Sequence, residues 1–182
     1  MAKTNSDVDR DQKRDEILSV ARRLFIEDGY EATSINRIAE QVRVAPNTLY
    51  WYFADKDALL IAVLDLLVID AFSAFERRKE TDLDAQILWV ISLLSSAQRL
   101  ITTVHSRVAT VESLRVWHDG FHRLVETTIE AQVRSHGMAR GHEKQAAQTT
   151  MFVIEGLLAH PSSKSQQRAL VKWLVSQVKR SS

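Results

Sequence analysis

Residues 33–56, Thr-Ser-Ile-Asn-Arg-Ile-Ala-Glu-Gln-Val-Arg-Val-Ala-Pro-Asn-Thr-Leu-Tyr-Trp-Tyr-Phe-Ala-Asp-Lys, read as two short helices joined by a tight turn. The first is expected to start at Thr33, whose hydroxyl suits a helix N-cap, and to turn Ile35, Ile38, Ala39 and Val42 inward. The second starts at Pro46, because the fixed φ and missing amide of proline suit the first helical position. A 3.6-residue period then buries Ala45, Leu49 and Phe53 on one side. Asn47, Thr48 and Trp51 point outward, with Tyr50 and Tyr52 on the flanks of that face.

The outward face offers an amide, hydroxyls and an indole N–H, and no carboxylate stands between Gln41 and Ala54 to repel a phosphate. Asparagine pairs bidentately with adenine in the major groove, and Thr or Tyr hydroxyls bind phosphates or base edges. The chemistry is that of a recognition helix. An ordinary helical hairpin is the alternative, but three exposed aromatics on about two helical turns are poorly explained as a solvated face.

The combination Gly29-Tyr30, Ala32-Thr33-Ser34-Ile35, Ile38-Ala39, Thr48-Leu49-Tyr50-Trp51-Tyr52-Phe53 and Asp55-Lys56-Asp57-Ala58-Leu59 resembles the N-terminal domain of the tetracycline-repressor (TetR) family. The resemblance covers roughly residues 10 to 65. It implies a homodimeric, ligand-responsive transcriptional repressor with double-stranded operator DNA and an unidentified small-molecule effector as partners. The expected DNA-facing set is Thr33, Ser34, Asn47, Thr48, Tyr50, Trp51, Tyr52 and Lys56, with Lys56 on backbone phosphate. Two departures stand out. Arg43 occupies the turn where the family usually has Gly, so a non-Gly residue is expected in a left-handed conformation, and Ala45 replaces the usual Ser or Thr cap.

The 182 residues are 45% hydrophobic and 26% charged, enough for one or two small domains with a core. Breakers at Gly29, Pro46, Gly137, Gly141 and Pro161 fall where helices should end, and the chain reads as all-α. The division expected is a three-helix helix-turn-helix DNA-binding domain over 1–57 and a helical ligand-binding and dimerisation domain over 58–182. The absence of Cys excludes disulfides and thiolate metal sites. The start, Met1–Ser6, has no apolar signal segment, which points to the cytoplasm. A net charge of +1 says nothing of nucleic acid, although Arg10, Lys13 and Arg14 can reach phosphate as an arm or simply form a solvated tail.

A bracing helix is read over Arg14–Asp28, and a long helix capped by Asp55 carries Leu59, Leu60, Val63, Leu66 and Leu67. Residues 58–69 are too few, and Asp65 interrupts them, so a buried helix rather than a membrane span is expected. The body divides into Asp84–Thr103, Ser106–Trp117, Asp119–His136, Glu143–His160 and Lys164–Arg180. Arg99, His105, His118 and His122 border apolar faces there, and Trp89, His105, Trp117, Phe121 and Met151 are the expected ligand-binding residues for an apolar or aromatic effector. A fully packed core is the competing account.

His118 and His122 are four apart, with Asp119 or Glu112 as oxygen donors, but Asp119-Gly120 reads as a helix start that parts them, so no metal is expected. No paired carboxylates, nucleophile motif or phosphate loop stands out; neither an enzyme nor a cofactor is expected. The remaining alternative is a helical small-molecule-binding protein or enzyme with a vestigial head. In the last two segments, the stripes Ala147, Thr150, Met151, Ile154, Leu157, Leu158 and Leu170, Val171, Leu174, Val178 are expected to pair with a twin chain, Gly156 allowing close approach. The basic residues Lys164, Arg168, Lys172, Lys179 and Arg180 read as a solvated outer face rather than a membrane surface.

Overall fold

A computed structural model describes residues 5–137, 139 and 141–180; Met1–Thr4, part of the stretch read for a signal segment, lie outside them. Among the described residues there are nine helices and no strand: α1 (Asn5–Glu27), α2 (Ile35–Gln41), α3 (Pro46–Tyr52), α4 (Lys56–Arg78), α5 (Leu83–Ser96), α6 (Gln98–Arg107), α7 (Glu112–Ser135), α8 (Glu143–Ala159) and α9 (Lys164–Arg180). The all-α reading stands. Packing groups the chain into two units, Met1–Ala74 with Arg99–Arg115, and Phe75–Gln98 with Val116–Ser182. The expected division of roles after Asp57 falls inside the first unit.

The first unit is built on α1. Ile17, Leu18, Ala21, Leu24 and Phe25 are buried at helical spacing, and they share the unit with buried Ile38, Ala39 and Val42 of α2, Leu49 of α3, and Leu59, Leu60, Val63 and Leu64 of α4. Each of the Val, Leu, Ile and Phe side chains among them contributes about 1.5–3 kcal/mol by leaving water. Gly29 ends α1 with φ +95°, a conformation that side chains with a Cβ rarely adopt. α6 belongs here too: Leu100 and Val104 are buried, and Arg99 Nη1 donates to the Glu27 carbonyl at 2.6 Å, placing a cation on the C-terminal end of α1. The sequence placed Arg99 at the border of an apolar face of the body; in the structure it binds the end of α1.

α4 has the length and apolar content that a membrane crossing would need. Its first half instead buries Leu59, Leu60, Val63 and Leu64, and Arg22 reaches its Asp70 at 2.5 Å.

In the second unit, Leu83, Ile87 and Ile91 of α5 pack with Val133 of α7, Ala139 of the connection after it, Ala146 and Ile154 of α8, and Val171, Val175 and Val178 of α9. Three boundaries differ from the sequence reading. The expected helix Asp84–Thr103 is broken at Ala97, whose N–H turns back to the Leu94 carbonyl at 3.0 Å. The expected second segment loses its middle, since α6 stops at Arg107 and α7 begins at Glu112. α7 then runs unbroken through Asp119-Gly120, because a single glycine costs a helix only about 1 kcal/mol and its neighbours supply the hydrogen-bond ladder.

Much of the stripe expected to face a twin chain lies in this unit's interior. Thr150 and Met151 are buried, as are Ile154, Val171, Leu174 and Val178, so packing within one chain accounts for them. The large apolar residues left exposed on these helices are Phe152, Leu170 and Trp173.

Candidate nucleic-acid interface

The turn between α2 and α3 sets the aim of the outward face. α2 is capped at Val42; Arg43 follows with φ 54°, its N–H donating to Glu40 O at 3.1 Å while Val44 N–H donates to Ala39 O at 3.0 Å. This is a Schellman pair, whose left-handed position normally holds Gly. Arg43 therefore carries a strain of about 1–2 kcal/mol, as its place in the sequence leads one to expect. α3 starts on Pro46 with no side-chain cap at Ala45.

Leu49 of α3 and Phe53 just past its end are buried, and Arg14 holds its guanidinium 5.4 Å above the Phe53 ring. Across the helix, Trp51 is 82% and Tyr50 53% exposed, and Asn47 is exposed beside half-buried Thr48 and Tyr52. Ser34 is the N-cap of α2, accepting from Arg37 N–H at 3.1 Å. Thr33 is a correction on two counts: it does not cap the helix, and it is fully buried, its hydroxyl donating to Gly29 O at 2.8 Å. It supports the turn and offers nothing to a partner. Arg10 and Lys13 line an open groove of about 550 Å³ with Tyr52, next to Asp9, Gln12 and Glu16, and Lys13 is paired with Glu16.

Asp55 caps α4 as expected, accepting from Ala58 N–H at 2.7 Å. The next turn carries a cluster that sequence reasoning missed. The Tyr30 hydroxyl donates to Asp57 Oδ1 at 2.6 Å, Arg107 from α6 donates to both Asp57 oxygens, and Lys56 places its ammonium 4.0 Å from the Tyr30 ring centroid. Burial raises the Tyr30 hydroxyl above its usual range, and the bond to Asp57 adds to this. Burial also pushes Asp57 upward, but hydrogen bonds from Arg107 and Tyr30 outweigh it and hold the carboxyl below the usual range. Lys56 is lowered, mainly by burial. No signal in the sequence linked residues 57 and 107.

The expected ligand-binding residues fall in both units. His105 is exposed on α6, in the first unit. In the second unit Met151 is buried, Trp117 stacks on Phe121 at 5.4 Å, and Trp89 meets the Phe75 ring at 6.0 Å with the Arg78 guanidinium 5.3 Å above it.

A short helix capped by Ser34, a tight turn and a second helix with an exposed aromatic and amide face define a helix-turn-helix DNA-binding protein. Residues 17–63 match the family of bacterial regulatory proteins, tetR family. The chain belongs to the TetR family of transcriptional regulators. It is 30% identical over 135 residues to the HTH-type transcriptional regulator HbdR of Aromatoleum sp. (strain CIB), a match covering 66% of this chain and 58% of that protein. It is 28% identical over 97 residues to the HTH-type transcriptional repressor KstR2 of Rhodococcus jostii (strain RHA1), covering 53% of this chain and 47% of that one. The chain thus spans about half the length of these curated relatives. A crystal structure of a transcriptional regulator from Saccharomonospora viridis in complex with choline shares the fold, with TM-score 0.75 and 18% identity over 91% of this chain and 96% of that one.

Proposed function

We propose that this protein is a cytoplasmic, homodimeric repressor that binds a pseudo-palindromic operator and is released by a small apolar or aromatic effector. The observation that carries the reading is the α3 surface: Trp51 and Tyr50 are among the most exposed large apolar residues of the chain, on a helix whose other side is buried. An aromatic face without carboxylates suits phosphate and base contact. Asn47 is the base reader in this scheme; Tyr50 and Lys56 take phosphate, and Ser34, Thr48, Trp51 and Tyr52 complete the contact surface.

Phe152 on α8 and Leu170 and Trp173 on α9 support pairing of two chains through the last two helices, since exposed apolar side chains of this size favour burial. Gly156 shares the Phe152 face one turn on, and a Cβ there would meet nothing within 4 Å. The repressor relative supports the direction of regulation, and the choline complex of the structural relative supports a small-molecule role for such a body. Trp89, Trp117 and Phe121 are the effector-facing candidates.

Fluorescence anisotropy with DNA from upstream of the protein's own gene tests the reading. Sequence-selective binding, weakened by a compound that also quenches the body tryptophans, is the expected result. Equal affinity for upstream and random DNA removes the operator, and a quenching compound that leaves the binding curve unmoved removes that compound as an inducer.

A further inference from the structure

We propose that His118, His122 and Glu155 form a divalent-cation site in the second unit, of the class that takes zinc, nickel or cobalt. Because α7 is continuous through Asp119-Gly120, the two histidines stand one turn apart on one face. Their ring centroids are 4.2 Å apart, and ring nitrogens of the two approach within 4.8 Å. Glu155 comes from α8, its Oε1 3.2 Å from His122 Nε2. All three side chains are half-buried.

The distances suit a shared cation. Imidazole nitrogen and carboxylate oxygen bind zinc at about 2.0–2.2 Å, and a tetrahedral angle between two such bonds separates the donor atoms by about 3.3 Å. His122 and Glu155 already have that separation. A rotation of the His118 side chain, one turn away, brings the third donor to the same point, the i and i+4 geometry by which helices present paired imidazoles to metals. Asp119 Oδ1, 4.0 Å from His118 Nδ1, is too far for a hydrogen bond and adds a negative charge beside the ring. Two imidazoles with one carboxylate favour borderline metals over calcium or magnesium, which prefer all-oxygen sets. The competing account is a simple ion pair of His122 with Glu155, which gives His118 no part.

The test uses untagged, full-length protein stripped with a chelator and titrated with Co²⁺, read by visible absorption, with Zn²⁺ as competitor. The expected result is saturation at one equivalent per chain, with binding at least tenfold weaker in His118→Gln, His122→Gln and Glu155→Gln. His160→Gln, at an exposed histidine beyond the end of α8, should leave the titration unchanged. Far-UV circular dichroism checks each variant, and if His122→Gln unfolds, the other two decide. Absence of saturable binding below millimolar Co²⁺, undiminished binding in His118→Gln, or an equal loss in His160→Gln overturns the site. The readout involves neither DNA nor effector, so it is independent of the proposed regulatory role.

Discussion

Arg107 grips Asp57 at both carboxylate oxygens, Nε to Oδ1 at 3.0 Å and Nη2 to Oδ2 at 2.8 Å, across fifty residues of sequence. Both side chains are largely withdrawn from solvent, at 27% and 18% exposure, so the pair is screened less than a surface bridge. Arg107→Ala leaves the carboxylate with Tyr30 as its remaining hydrogen-bond donor. Stability should fall by about 2 kcal/mol, below the 3–5 kcal/mol of a fully buried pair, as read from urea midpoints. A loss under 0.5 kcal/mol, the range of an exposed pair, would show that the grip does not hold in solution.

The same carboxylate sets an acid limit. A carboxyl held below its usual value in the folded state adds stability that is complete above the unfolded value, about 3.9, and is lost as pH falls through the folded value. The stability gap between wild type and Asp57→Asn should therefore be constant from pH 7 to about 5 and close below pH 4. Denaturant titrations across that range measure it; a gap already closing between pH 6 and 5 contradicts the lowered carboxyl.

Base reading and phosphate contact separate by their sequence dependence. Asn47→Ala should cost about 1–3 kcal/mol on the operator and relax preference at one position, while Tyr50→Ala should weaken operator and random DNA alike. Anisotropy on both DNAs distinguishes them, and equal losses for Asn47→Ala on the two would rule out base reading.

Pairing of chains is tested best at residues that are exposed in one chain. Phe152→Glu with Trp173→Glu should yield a monomer by light scattering with helical content unchanged. Leu174→Arg should instead unfold the second unit, because Leu174 is only 3% exposed. A wild-type monomer at micromolar concentration would remove the pairing argument.

Arg43→Gly relieves a left-handed residue and should raise stability by about 0.5–1 kcal/mol, the strain removed exceeding the added chain entropy of Gly. Calorimetry reads the melting shift. A lowered melting temperature would mean that the Arg43 side chain makes a stabilising contact larger than the strain.

The head was legible because its information is local. Pro46, the Leu49 and Phe53 spacing, the Asp55 cap and the strained Arg43 are each decided within a few residues, and each is found in place. Thr33 and Ser34 show the limit: adjacent hydroxyls look alike in sequence, and only the fold of the preceding turn decides which is buried. The body was harder because apolar spacing marks a face without naming what covers it. Leu174 and Trp173 are neighbours on α9, yet one is core and the other exposed. Gly120 misled in the opposite direction, since a breaker inside a well-supported helix breaks nothing.

The first unit takes chain up to Ala74 and then again from Arg99 to Arg115. Its reading head is thus not a contiguous cassette. A chimaera joined after Asp57 would leave the donor's Arg107 behind and graft a carboxylate without its cation, along with a helix end that has lost Arg99. Swapping DNA specificity between such regulators requires either carrying the second stretch across or choosing a recipient that supplies equivalent arginines. The same constraint binds α6, which cannot change freely without loosening the first unit.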